Sequence, residues 1–436
     1  MNQQKKKYFF LCLSVFLIFV LFYFDLIHKT YVIPIIPETN TEGLLIHKTW
    51  SEFKFFGDTQ VIFLFAECHK TGHDVFIINE CGLKYGIRHE GYQFQYGRSL
   101  LLLPIIDTAY REIFLISYGS LLISLLIYLV FKLINPKSIY ENIFCVILIV
   151  NPTTLLLFER LNFDLLVFLL LVLMIFLKKN YIIKLLINFF LFTIKYYPFL
   201  FIINFFVEDR LGLKKKLYYI ILFLSLSLIF FFINFNDFIL IKDNVSNNGR
   251  NIRYNFSLNG MGRVFEYMLI TINQIFEFSL KNNISATKIL LLSLLILISL
   301  LNYFFSNKKI LLNNEYNSRK KLFYVCSNTL IILYILFNNN YLREVFFIGV
   351  IPYLLIMSKS NCSFSMVCSS LIFCKYLFMI IVWPSILFTD LELNLLGQFF
   401  IVIKILLDFI IISLLITYIL KMNLLIFRDS LKSINL

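Results

Sequence analysis

Long unbroken apolar runs constrain this chain more than any other feature in it. Residues 112–133, 139–158, 162–178, 217–235, 287–305, 322–337, 364–384 and 398–420 are dominated by Leu, Ile, Phe and Val, and a shorter run covers 345–357. About 20 apolar residues in a helix cross the roughly 30 Å of a bilayer's hydrocarbon. Backbone groups in hydrocarbon must be paired within their own segment, and strands of a membrane barrel would alternate, so the runs read as helices. Hydrophobic residues make up 59% of the 436 and charged residues 15%, more apolar surface than a soluble fold of this length can bury. The expected fold is all-α: a polytopic transmembrane helical bundle of about ten full spans, a single integral-membrane domain over 1–436.

Charge sets the orientation. The first apolar run, 8–24, follows Lys5-Lys6-Lys7 and lacks a small-residue cleavage site. It reads as an uncleaved span with a cytoplasmic N-terminus. Alternation then places Lys132/Lys137, Lys178/Lys179, Lys214-Lys215-Lys216, Lys308/Lys309, Arg319-Lys320-Lys321 and Lys359 in cytoplasmic loops, as the positive-inside rule requires. The same rule and anionic lipid account for the net charge of +14. No basic patch with interleaved aromatics stands outside the membrane, so no nucleic-acid partner is expected.

One segment resists alternation. Residues 181–207 are apolar, yet basic clusters flank both ends, and Tyr197-Pro198 divides the run. Proline disfavours helix in the residue before it. The expectation is a re-entrant pair of half-helices, 182–195 and 198–207, with Lys195, Tyr196 and Tyr197 at the tip. The competing reading is one kinked span.

Polarity concentrates in the first outer loop, residues 25–111, which carries all five histidines. Asp58 opens an expected juxtamembrane helix near 58–71, with Gly72 as its C-cap. The apolar stretch 61–66 suits a helix lying along the membrane surface. A carboxylate at such a boundary can serve as a general base, although an Asp there also serves as a helix cap. Glu67 falls on the opposite helical face. Cys68 and Cys81 share the loop and are disulfide candidates if it is exported. The remaining cysteines read as core residues, apart from Cys362 near a cytoplasmic turn, and no CxxC pair supports a zinc site. No cofactor or metal is expected.

Further polar groups stand at span heads. Glu159-Arg160-Leu161-Asn162-Phe163-Asp164 joins two runs; ionisable residues at such positions are costly and point to function, while Asp164 is also placed to cap the next helix. Lys195 puts a cation in an apolar segment, where it requires an anion, for which phosphate is suited, or an interface to snorkel to. Lys375 and Lys404 also lie in apolar runs and read as snorkelling side chains. Polar groups thus gather in the outer loop and at span heads, as surface chemistry needs.

Taken in order, these motifs resemble glycosyltransferase family 87, mannosyltransferase-like membrane enzymes of the GT-C class. The residues that carry the resemblance are Gly57-Asp58, Glu67-Cys68, Gly72 to Phe76, Cys81, Phe94-Gln95-Tyr96-Gly97-Arg98, Glu159 to Asp164, Ile194 to Pro198, Asn255 to Leu258 and Tyr341-Leu342-Arg343, across about 55–350. Gly97 stands where the family has Pro, and Leu161 where it has Gly. The resemblance implies a GT-C-like bundle and a polyprenyl-phosphate sugar donor, a mannose-like hexose passed to a glycan or glycolipid acceptor. The reaction would be inverting, at the periplasmic face of a bacterial inner membrane. It implies Asp58 as general base. Lys195 and Arg343 would hold the donor phosphate, with Arg160 as a further candidate. Tyr96 and Arg98 would shape a substrate pocket to which Glu159, Asp164 and Tyr197 belong. The rival readings are a polymerase or ligase acting on undecaprenyl-diphosphate glycans, and a flippase or transporter.

Overall fold

The computed structural model describes residues 57–76, 94, 96–177, 180–208, 211–248, 256–258, 261, 284–305, 317–336, 341–359, 362–388 and 395–434. Every regular element among them is helical. They fall into two compact units, 1–248 and 249–436, taken here in turn. The expected span over 8–24 and the second loop cysteine, Cys81, lie outside the described residues.

The first unit contains α1 (Gly57–Lys70), α2 (Thr108–Ile134), α3 (Ile139–Val150), α4 (Pro152–Arg160), α5 (Phe163–Phe176), α6 (Tyr181–Ile194), α7 (Ile203–Phe206), α8 (Leu213–Ile233) and α9 (Phe235–Asn248). Local sequence dictates the breaks. Ser138 and Glu141 form a reciprocal capping box that starts α3. Asn151 ends α3 and caps α4, its side chain accepting from the Thr154 N–H at 3.0 Å, while Pro152 occupies the first turn of α4, where its missing N–H costs nothing. The 139–158 run is therefore two helices bent by 50°, rather than one straight span.

α1 differs from its expected setting. It runs over the residues foreseen and stops before Gly72, which adopts φ +92°. Its apolar stretch does not face outward, however. Val61 to Ala66 are all buried, and Val61, Ile62, Leu64 and Phe65 pack with Val75, Phe76, Phe94, Leu100, Leu101 and Phe163. T-shaped ring pairs Phe65–Phe94 and Phe76–Phe94, at 5.6 and 5.7 Å, fill this core. An all-round apolar helix is buried in protein, not laid on a surface. Glu67, on the polar end, pairs with Arg111 at 3.4 Å, and Cys68 is disulfide-bonded and fully buried.

The 181–207 segment doubles back. After α6 the chain extends at Lys195, then forms a 3-10 turn over Tyr197–Ile202 with Pro198 in its first turn, followed by α7. The Lys184 ammonium meets the Glu208 carboxylate at 2.7 Å, both side chains buried. In a continuous helix those residues would stand roughly 36 Å apart at 1.5 Å per residue, so the chain is a hairpin. Leu185, Phe192 and Phe205 of its two arms share a core with Ile220 and Phe223 of α8. After α8 the chain continues as helix α9.

The second unit contains α10 (Ile284–Phe305), α11 (Asn317–Leu336), a 3-10 turn (Tyr341–Phe346), α12 (Phe347–Lys359), α13 (Ser363–Phe388) and α14 (Leu395–Ile434). Across the described residues, five helices are long and apolar enough to cross a membrane, at Ile113–Ile134, Leu213–Ile233, Thr287–Phe304, Ser363–Val382 and Phe399–Leu424; the bent α3–α4 pair makes a sixth if counted as one span. α5 and α6 are shorter apolar helices. Large apolar side chains such as Ile116, Leu121, Tyr218, Ile229, Phe232, Leu290, Leu297 and Ile381 are exposed. Such surface belongs in lipid rather than water, consistent with an integral membrane protein.

Candidate functional site

The turn between α4 and α5 is the centre of the site in the first unit. α4 ends at Leu161, which adopts a left-handed conformation (φ +46°, ψ +49°). A non-glycine residue held there stores of order 1–3 kcal/mol of strain. Leu161 thus makes a turn that glycine would make at lower cost, and its side chain is buried. The turn is pinned by Thr59, whose hydroxyl donates to the Leu161 carbonyl. Asn162 follows in extended conformation and caps α5, its Oδ1 accepting from the Asp164 N–H at 2.9 Å. The cap is thus Asn162, not Asp164 as the sequence implied, and this frees the Asp164 carboxylate for other partners.

Four elements converge on this turn. Asp58, in the first turn of α1, accepts through Oδ2 from the Asn162 amide at 2.7 Å, and its other oxygen lies 4.0 Å from the Arg160 guanidinium. Lys195, just past the end of α6, contacts Asp164 Oδ1 at 2.7 Å and donates to Asn162 Oδ1 at 3.0 Å. Tyr197, at the hairpin tip, donates to Asp164 Oδ1 at 2.6 Å. Tyr96 places its ring 5.1 Å from the Lys195 ammonium. Asp58, Arg160, Asp164, Lys195, Tyr96 and Tyr197, separated by up to 139 positions in sequence, thus meet in one cluster. Asn162, which joins the Asp58 side to the Lys195 side, was quoted in the motif but given no role. Its signal was its place one residue after a left-handed turn.

Gly97 is fixed by a close backbone approach. Its N–H donates to the Ile194 carbonyl at the end of α6, at 2.7 Å. A proline could not make that bond. A Cβ on Gly97 would run into the Thr193 carbonyl. The close approach sets Tyr96 against Lys195.

Other sequence candidates go elsewhere. Arg98 is half exposed and pairs with Asp237 of α9 at 2.9 Å. Glu159 lies in the last turn of α4, and its side chain is outside the described residues. Lys195 does not snorkel: it is largely buried and its anion is Asp164. Arg343 belongs to the second unit, in the 3-10 turn before α12.

That second unit holds a cluster the sequence reading missed. Glu344 is fully buried and meets Lys375 of α13 at 2.8 Å and Lys404 of α14 at 3.4 Å. Asp408, one turn beyond Lys404, pairs with it at 3.0 Å and also with Lys375. Neither lysine snorkels. Lys375 is boxed by the rings of Phe256, Phe347 and Tyr376 at 5.4, 4.9 and 5.4 Å. Opposite charges at i and i+4 inside an apolar run, Lys404 and Asp408, were the available signal. Polar groups are therefore not confined to the outer loop and span heads.

No group of three or more metal-ligating side chains occurs among the described residues. No protein-family model, curated protein or solved structure matches the chain.

Proposed function

We propose that the protein is a membrane glycosyltransferase that moves a hexose from a polyprenyl-phosphate donor to a glycan or glycolipid acceptor on the exported face. The observation that carries this reading is the setting of Asp58. Its carboxylate is partly open, held from one side by an amide, and faces a partly exposed guanidinium at 4.0 Å. A base beside a cation suits an inverting displacement. The acceptor hydroxyl oxygen attacks the anomeric carbon and its proton passes to Asp58. The bond from that carbon to the phosphate oxygen breaks, the phosphate keeps the electron pair, and a preorganised cation stabilises the added charge.

Arg160 is the better phosphate ligand of the two cations in this cluster, because its side chain is more exposed than that of Lys195. Tyr96 and Tyr197 line the same cluster. The basic clusters that flank the spans favour a periplasm-facing site in a bacterial inner membrane.

The test is reconstitution in vesicles with a polyprenyl-phosphate hexose and candidate lipid-linked acceptors, reading transfer of labelled sugar. A new product dependent on Asp58 supports the reading. Growth of an undecaprenyl-diphosphate glycan without any monosaccharide donor would favour a polymerase or ligase instead. The buried charges of α13 and α14 favour a second reading, a transporter, since ionisable groups deep in spanning helices mark transport paths. Movement of labelled lipid between leaflets with no covalent product would select it.

A further inference from the structure

The orientation of the Asn162 side chain is over-determined. Its Oδ1 faces two groups that can only donate, the Asp164 main-chain N–H at 2.9 Å and the Lys195 ammonium at 3.0 Å. Turning the amide over would set its NH2 against both. The NH2 therefore has to point the other way, and what stands there at 2.7 Å is Asp58 Oδ2, an acceptor when ionised. Lys195 is in turn fixed by Asp164, which also accepts from Tyr197, and by the Tyr96 ring below it.

We propose that Asn162 is the positioning residue for the Asp58 carboxylate, and that Lys195 acts on Asp58 through Asn162 rather than as a ligand of the donor phosphate. This deepens the glycosyltransferase reading and rests on it for its catalytic meaning. The donated N–H fixes one oxygen of Asp58 and aims the other toward Arg160, on the side where an acceptor hydroxyl would enter. The groups facing Asp58 are Arg160 of α4 and Asn162 in the turn after it; Asp164 of α5, Lys195 past α6, and Tyr197 form the layer behind Asn162.

The substitution that isolates this role is Asn162→Asp. Aspartate caps a helix as well as asparagine and still faces Lys195, so the turn and the α5 cap are kept. It lacks the donor and sets a second carboxylate against Asp58. Full-length protein in lipid nanodiscs is treated with a hydrophobic carbodiimide, which modifies protonated carboxyls, and modification of Asp58 is followed by mass spectrometry against pH. In Asn162→Asp the midpoint should move up by about one pH unit or more, a tenfold change in proton affinity. Lys195→Met should move it the same way, and should add nothing further in an Asn162→Leu background, because the path through the amide is already gone. Lys195→Arg should restore the wild-type profile.

An unmoved midpoint in Asn162→Asp overturns the proposal. So does an equal, additive shift by Lys195→Met with and without Asn162, which would mark a direct effect of the ammonium. A rise in KM for the polyprenyl-phosphate sugar with an unchanged pH profile would make Lys195 a phosphate ligand. The labelling needs no sugar substrate. Midpoints that move as expected in a protein that transfers no sugar would therefore sink the glycosyltransferase reading and leave the positioning of Asp58 standing.

Discussion

Each unit of the molecule holds an ionic cluster of two carboxylates and two cations, and the two clusters differ in access. In the first unit, Asp58 and Asp164 face Arg160 and Lys195, and side-chain exposure grades from 36% at Arg160 and 17% at Asp58 to 10% at Lys195 and 4% at Asp164. In the second, Glu344 and Asp408 face Lys375 and Lys404, and no side chain exceeds 2%. The first cluster mixes in an amide and a phenol: Asp58 accepts from Asn162, and Asp164 Oδ1 takes both Lys195 and Tyr197. In the second, lysines meet carboxylates, with aromatic rings closing round Lys375. Equal formal charge thus serves two ends. A graded cluster keeps Asp58 and Arg160 partly open to solvent, whereas a sealed one fixes three elements together.

The largest effect that separates the two concerns Lys375. Removing one partner of a buried ion pair leaves an uncompensated charge and costs about 3–5 kcal/mol. Lys375→Met should lower the thermal unfolding midpoint in detergent sharply, read by circular dichroism. Adding Asp408→Leu leaves Lys404 with Glu344, a neutral pair 3.4 Å apart, and should recover most of the loss. A single variant as stable as the parent would show that the second cluster is hydrated, and the contrast with the first would disappear.

The sequence made one cluster legible and hid the other, for a physical reason. Asp58, the Glu159–Asp164 step and Lys195-Tyr196-Tyr197-Pro198 each stand where a helix starts or stops, so turn chemistry flags them before any fold is known. The hairpin follows from Pro198 and the basic flanks, and Lys184–Glu208 closes it. Glu344, Lys375 and Asp408 lie within or beside apolar runs and are brought together only by tertiary packing. Periodicity carries no trace of that. The burial of α1 was misjudged for a related cause: Val61 to Ala66 look alike whether they meet lipid or Phe94 and Leu101, and only the packed neighbours decide.

In the first unit the expected loss is of chemistry with stability kept. Asp58→Asn keeps an acceptor for the Asn162 amide and loses only a 4.0 Å contact with a partly exposed Arg160. Unfolding should be unchanged within about 0.5 kcal/mol, as for most surface changes. Sugar transfer should fall by about 10²–10⁴-fold, the typical contribution of a general base. Transfer at the parental rate would remove Asp58 from catalysis and leave the first cluster as structural as the second.

Gly97→Ala probes how tightly the graded cluster is built. The added methyl meets the Thr193 carbonyl, a backbone atom that has little room to give. Overpacking of this kind costs about 1–3 kcal/mol. The shift should separate Tyr96 from Lys195 and reduce transfer as well as stability. A variant that loses neither would mean that the hairpin tip and the Phe94–Arg98 segment move together, and that the cation–π contact at 5.1 Å is incidental.

The smallest effect tests the edge of the graded cluster. Arg98 and Asp237 make a 2.9 Å pair, but half of the arginine side chain lies in solvent. Exposed pairs contribute about 0.2–1 kcal/mol, screened further by salt. Arg98→Ala should therefore cost under about 1 kcal/mol, and its cost should shrink as salt is raised. Transfer should hold, because Asp58, Asn162 and Lys195 keep all their partners. A large loss of transfer at normal stability would instead give Arg98 the substrate role that the family resemblance implies. The guanidinium would then have to leave Asp237 when substrate binds, and the graded cluster would extend across α9.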